Sequence, residues 1–229
     1  MLKLELHSHT SDDPHDRIPH TTRELIDHAA ILGYGGLAIT LHDRQLDVTP
    51  HLEYARERGI VLLRGIERTI ERRHVLLINF PEEAEQVTSV GELTSLKART
   101  NGLVVAPHPF YPLPTALGPV LGRFAPLVDA LEWNAMYTRL IDFNQAALRW
   151  AREHGKPLVG NTDLHVLSQM GTTWSEVDAE PDADAICEAI RAGRVTLRTE
   201  PLGLPRAAWH FAWMLFYGLP GPRRDDPDR

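Results

Sequence analysis

Apolar and polar residues alternate from Leu2 to Leu6, the pattern of a strand with one buried face. The period then lengthens. Thr21-Thr-Arg-Glu24 fits a capping box, Leu25, Ile26, Ala29 and Ala30 recur at helical spacing, and Gly33 supplies a stop, so a helix is expected there. Further strands are expected at Gly36–Thr40, Ile60–Glu67, His74–Phe80, Leu103–Ala106, Ala130–Asn134 and Pro157–Gly160, each a short apolar run. Helices are expected from Pro50 to Arg58, from about Glu82 to Arg99, from Arg139 to His154 and from about Ala183 to Ala192, with glycine after several of them.

Strand–helix alternation argues for a parallel sheet with helices outside it. About seven such units in one chain favour closure into a barrel over an open sheet. The length of 229 residues and hydrophobic fraction of 43% suit one such domain. It is expected over residues 1–200, with a different tail over 201–229. In that tail, Ala207-Ala-Trp-His-Phe-Ala-Trp-Met-Leu-Phe-Tyr217 is about half as long as a bilayer span. It is expected as a helix covering apolar barrel surface, with a dimer contact or a membrane-surface contact as alternatives. Gly221–Arg229 is expected to be disordered.

The formal net charge is −7, which does not suggest a basic nucleic-acid surface. Cys187 is the single cysteine and sits at an apolar helical position, where a buried, inert thiol is expected. The chain starts on a strand, not on a charged segment followed by an apolar one, so no secretory signal is seen and a cytoplasmic location is expected.

The candidate chemistry collects at strand ends. His7 and His9 end the first strand, where residues two apart share a face and can reach one metal ion. His42 follows the second strand and Glu67 ends the third. His74 opens the next, and His108 follows Leu103–Ala106. Asp163 and His165 follow Pro157–Gly160. Barrel enzymes gather their chemistry at such ends. Of the twelve histidines, His20, His28, His51, His154 and His210 are assigned no role. Imidazole and carboxylate without thiolate suit Mn, Zn or Fe, not a cysteine-rich structural zinc.

His7-Ser-His-Thr10, Ala38-Ile-Thr-Leu-His-Asp43, Gly65-Ile-Glu67, Ala106-Pro-His-Pro109 and Asn161-Thr-Asp-Leu-His165 together resemble the PHP family, the polymerase and histidinol phosphatase domain. The resemblance runs from about Leu2 to Leu197. It implies an α/β fold, a distorted TIM-like (β/α)7 barrel, with a trinuclear metal site. Carried onto these residues, His7, His9, Glu67 and Asp163 would hold one ion. Glu67 would bridge to a second, held also by His74 and His108. The third would take His42, His165 and a ligand from the loop after His9. Asp16 matches that ligand best, with Asp12, Asp13 and His15 as alternatives. The motif's usual Thr-Asp-His reads Thr40-Leu-His42 here, so an acid is missing beside His42, and Asp43 stands as a partial substitute. Motif three continues into Arg68.

The resemblance implies hydrolysis of a small phosphorylated metabolite or nucleotide by metal-activated hydroxide. His42, His108 and His165 are the candidate catalytic imidazoles, and the general acid is left open. Arg44, Arg68 and Arg139 follow strand ends and are candidate phosphate clamps, each with a surface or ion-pair role as the alternative. No stable nucleic-acid complex is expected. No transmembrane segment is seen, and a homo-oligomer formed through the aromatic tail is possible. Another metal-dependent hydrolase (an amidohydrolase or a nuclease) and a non-catalytic metal-binding module are the competing readings.

Overall fold

A computed structural model describes residues 1–217, with side chains described as far as Trp213. The expected disorder of Gly221–Arg229 lies outside the described residues. In chain order the elements are β1 (Leu2–Glu5), α1 (Thr22–Ile31), β2 (Gly36–Ile39), α2 (Leu52–Glu57), β3 (Val61–Ile70), β4 (Arg73–Ile78), α3 (Val90–Lys97), β5 (Leu103–Ala106), α4 (Leu121–Phe124), β6 (Ala130–Asn134), α5 (Asn144–Glu153), β7 (Leu158–Asn161), β8 (Thr173–Val177), α6 (Ala183–Arg191), β9 (Val195–Thr199) and α7 (Leu204–Tyr217).

The strands form one sheet in the order β7-β6-β5-β4-β3-β2-β1-β8-β9. It curls into the distorted barrel. β1, β2 and β3 are parallel neighbours, as are β5, β6 and β7. The expectation of a wholly parallel sheet is corrected at two places. β4 runs antiparallel to both β3 and β5, because Glu71 and Arg72 adopt left-handed backbone (φ 48° and 67°). Two such residues make a tight hairpin turn that leaves no room for a crossover helix. β8 and β9 also add antiparallel to β1 and to each other. Their alternation, Thr-Trp-Ser-Glu-Val and Val-Thr-Leu-Arg-Thr, is the half-buried strand pattern.

The curl closes at a seam. β8 pairs with Leu2, Lys3 and Leu4 of β1. Farther along, the chain leaving β7 takes its place. Ser8 bridges Leu164 in parallel, His9 N donates to Leu164 O (3.0 Å) and Leu164 N donates to His7 O (3.1 Å). Gly160 is needed here, since a Cβ at this position would lie 2.7 Å from Trp174 O and 2.6 Å from a Leu197 methyl.

Helices pack outside. α1 begins on the expected capping box, with Thr21 accepting from Glu24 N and Glu24 accepting from Thr21 N, which satisfies two otherwise orphan donors. The long helix expected over Glu82–Arg99 is two pieces. A 3-10 turn covers Glu82–Gln86, and α3 restarts on a second capping box at Ser89 and Glu92. The helix expected from Arg139 begins only at Asn144. The preceding residues form a turn in which Thr138 Oγ1 accepts from Leu140 N and Ile141 N. Cys187 is buried on α6, and burial pushes its thiol up to about 12, as expected of an inert core thiol.

α7 departs from expectation. It was expected to cover the barrel, but Leu204, Trp209 and Phe211 are exposed and His210 is buried. Among the described residues, no helix is long and apolar enough to cross a membrane.

Candidate metal centre

The polar ends of β1, β2, β3, β4, β5 and β7 converge on a cleft of about 200 Å³ lined by Asp16, His42, Glu67, His74, His108, Leu113, Thr115, Asp163 and His165. His7 and His9 lie beneath it, with no exposed surface. Two-residue spacing puts both rings on one side, their centroids 5.3 Å apart. The Nε2 atoms of both are buried without a hydrogen-bond partner. They face Asp163 Oδ1 at 3.2 and 3.4 Å and Glu67 Oε2 at 3.4 and 3.6 Å. Two orphaned imidazole nitrogens opposite two carboxylates form a donor set that fits a divalent ion.

Glu67 spends its two oxygens differently. Oε1 meets His74 Nδ1 (2.8 Å) and His108 Nε2 (3.2 Å). Oε2 faces His42 Nε2 (3.1 Å) and the His7–His9 pair. The side chain therefore stands between two groups of imidazoles, as a bridging ligand would. His165 Nε2 lies 2.9 Å from Asp16 Oδ2, and His42 Nδ1 lies 3.9 Å from the same oxygen. Three sets place their ligand atoms within 4.8 Å of one another: His7, His9, Glu67 and Asp163; His42, Glu67 and His74; and His9, Asp13 and His42. The first is the set expected from the motifs.

Backbone strain marks the same place. His108 (φ 29°), Asp163 (φ 51°) and Asp43 (φ 53°) hold left-handed backbone without being glycine. Such strain clusters where a side chain must be aimed against local preference.

Charges in the cleft compensate one another. Burial disfavours a charged His7, yet Asp163, Glu132 and Glu67 outweigh it and hold its pKa well above the usual value. Burial likewise opposes the charge of Glu67, and His7, His42 and His74 overcome it, holding that carboxyl well below its usual range. His42 is raised to about 11 against burial by Glu67 and Asp13. Asp163 and Asp13 are both lowered by the surrounding imidazoles despite their burial.

Two buried carboxylates, Glu132 and Glu5, are not marked by the motifs, and a third, Asp13, is one of the alternative loop ligands. Glu132 on β6 accepts from His7 Nδ1 (2.7 Å) and Asn161 Nδ2 with one oxygen, and from His108 N and Asn134 Nδ2 with the other. Glu5 accepts from His7 N, Thr162 N and Thr162 Oγ1, and burial nevertheless pushes its carboxyl up to about 8. Asp13 backs His9 and His42. The available signal was a carboxylate interrupting an apolar run, as in Ala-Leu-Glu-Trp-Asn.

The arginines do not reach the cleft lining. Arg68 donates to Asp43 Oδ1 and Val87 O, both at 2.7 Å, which is the ion-pair alternative. Arg44 is half-buried, and Arg139 is exposed beside a separate cavity with Leu140, Glu200 and Leu204. Leu41 is fully buried in an apolar cluster with Leu25, Ile26 and Leu37, so the position that lacks the motif's usual acid faces the core. His15 is exposed, with Nε2 3.7 Å from Asp43 Oδ2.

Residues 142–195 match the family model described as PHP-associated. The PolC-type DNA polymerase III of Streptococcus pyogenes serotype M1 is 34% identical over 107 residues, which are 44% of this chain and 7% of that protein. Both matches support the PHP domain family. The chain thus spans a small fraction of the curated relatives it matches. The fold is similar to a two-domain Bacteroides vulgatus protein containing a predicted PHP-like metal-dependent phosphoesterase, with a TM-score of 0.67 at 18% identity, covering 91% of this chain and 69% of that one. It is also similar to a lesion-specific endonuclease, EndoQ, of Pyrococcus furiosus, with a TM-score of 0.57 at 17% identity, covering 95% of this chain and 68% of that one.

Proposed function

We propose that the chain is a metal-dependent phosphoesterase acting on a small phosphorylated metabolite or nucleotide. The observation that carries this reading is the pair of buried, unpartnered Nε2 atoms of His7 and His9, aimed at Asp163 and Glu67. His7, His9, Glu67 and Asp163 would hold one divalent ion. Glu67, His74 and His108 would hold a second, and His42, His165 and Asp16 a third. Manganese, zinc and iron suit this donor set. Bound ions would make hydroxide available at neutral pH and offset the charge that builds on the phosphoryl oxygens.

The protein's part is orientation. Glu132 fixes the His7 ring through Nδ1 and the His108 backbone through its amide, so both imidazoles are pre-aimed. His165 is held by Gln169 Oε1 at its amide and by Asp163 O at Nδ1, leaving Nε2 facing the cleft. Among the described residues, no Lys or Arg side chain lines the cleft, so attraction for an anionic phosphate would rest on the ions. Leu113 and Thr115 form the wall left for the rest of the substrate.

A nucleic-acid phosphodiester is the second reading. It is favoured by the similarity of fold to the endonuclease over nearly the whole chain and opposed by the net charge of −7. The test is metal analysis of the purified protein, followed by hydrolysis assays on phosphomonoesters, small phosphodiesters and single-stranded DNA with Mn and Zn separately. Turnover of small esters alone supports the first reading. Turnover of DNA alone supports the second, and full metal loading without turnover of any substrate would overturn both.

A further inference from the structure

Asp13 lies on the turn after the His7–His9 segment, held by its own amide to Thr10 O (2.9 Å) and only 3% exposed. Its carboxylate is crowded. Oδ2 accepts from His9 Nδ1 (2.9 Å), His42 Nδ1 (3.0 Å) and His42 N (3.0 Å). Oδ1 accepts from His15 N and Asp16 N, both at 2.9 Å. His9 belongs to the ion position of His7, Glu67 and Asp163, whereas His42 and Asp16 belong to the position shared with His165. One carboxylate therefore touches ligands of two positions.

We infer that Asp13 is a positioning residue that couples two ion positions, and not itself a ligand. This rests on the reading that the cleft holds divalent ions. A carboxylate on Nδ1–H fixes the tautomer of an imidazole and leaves Nε2 as its free donor. For His9 that Nε2 faces Asp163 and Glu67, and for His42 it faces Glu67. The same carboxylate orders the Asp16 amide, and with it the loop that carries the Asp16 side chain to His165. His9, Asp13 and His42 also lie close enough to chelate an ion together. Against that arrangement, an ionised carboxylate has about four acceptor sites, and five N–H groups already converge on Asp13. No lone pair is left for a cation.

Asp13→Asn tests this. An amide presents one carbonyl oxygen, so it keeps either the two imidazoles or the two loop amides, never both. Wild type and variant are titrated with Mn2+ by calorimetry and with Co2+ by visible absorption, with circular dichroism and thermal melts reporting the fold. The expected result is an unchanged number of ions at saturation with two dissociation constants each weakened about 10- to 100-fold. Asp13→Ser gives the same readout should the amide destabilise the chain. Loss of one ion with the other constants unchanged makes Asp13 a ligand and overturns the inference. So does weakening at a single position, or none. A wild-type chain that takes up no divalent ion overturns the functional reading and this inference together. Normal loading of the wild type beside an unaffected variant overturns the inference alone.

Discussion

Two concavities of this barrel differ in chemistry far more than in accessibility. The cavity beside Arg139, Leu140 and Leu204 holds about 810 Å³, against about 200 Å³ for the cleft over Glu67. The larger one is walled by an exposed turn and the start of α7, with Arg139 and Glu200 as its charged residues. The smaller one gathers buried imidazoles and carboxylates, three of them backed by Glu132 or Asp13. Volume measures where a ligand fits. Convergent buried donors, held by further hydrogen bonds, measure where chemistry has been prepared.

The contrast breaks most decisively at Glu67. Glu67→Gln is expected to lose at least ~100-fold in both ion affinity and turnover, because this carboxylate would bridge the first two proposed positions. Metal analysis and steady-state kinetics check it. His108→Ala is expected to fall close behind, and full activity in that variant would sink the site assignment. Glu132→Gln is expected to weaken ion binding by about 10- to 100-fold. It should also cost roughly 1–3 kcal/mol of stability, since four N–H donors lose a charged acceptor; denaturant melts of the metal-free protein read this directly.

Acid stability sharpens the same comparison. His20 donates to the His9 carbonyl beneath the cleft, and His210 is buried on α7. Burial lowers both to about 4 from an ordinary 6.5. A depressed histidine pKa means that the folded state resists protonation. Stability is then full above about 6.5 and is lost as the pH falls towards 4. His20→Gln is expected to flatten the acid side of the melting-temperature profile more than His210→Gln, since His20 is tied to a rigid core segment. The smallest effect is expected at the large cavity. Arg139→Ala should change turnover by less than about twofold and stability by no more than about 0.5 kcal/mol, as for other exposed positions.

Much of the site was legible because ligand residues sit at strand ends, where sequence order and spatial convergence coincide. His7, His9, Glu67, His74, His108 and Asp163 are brought together as the motifs implied. The carboxylates behind them were not, since Glu132 and Glu5 lie inside strands where a buried acid reads as an ordinary polar position. The loop was ambiguous for a physical reason. Asp12, Asp13, His15 and Asp16 occupy one tight turn, and local pattern does not say which of them points inward. In the fold, β8 and β9 alternate regularly but lack the apolar runs that mark the parallel strands, so they stand out less in the sequence. The Glu71–Arg72 hairpin carried no glycine or asparagine to announce its left-handed turn. On α7 aromatic content does not dictate burial, since Trp209 and Phe211 are exposed.

The seam between β1 and the chain after β7 carries a mechanical consequence. His7 and His9 stand on one lip, Asp163 and His165 on the other, and the lips are joined by two backbone hydrogen bonds around Leu164. An ion gripped from both sides would act as a clasp on the barrel wall. Chelation should then loosen the wall along that line first. Amide exchange at His9 and Leu164 should quicken before that of β3 or β4, so the loaded and stripped proteins would differ in where they breathe as well as in what they catalyse.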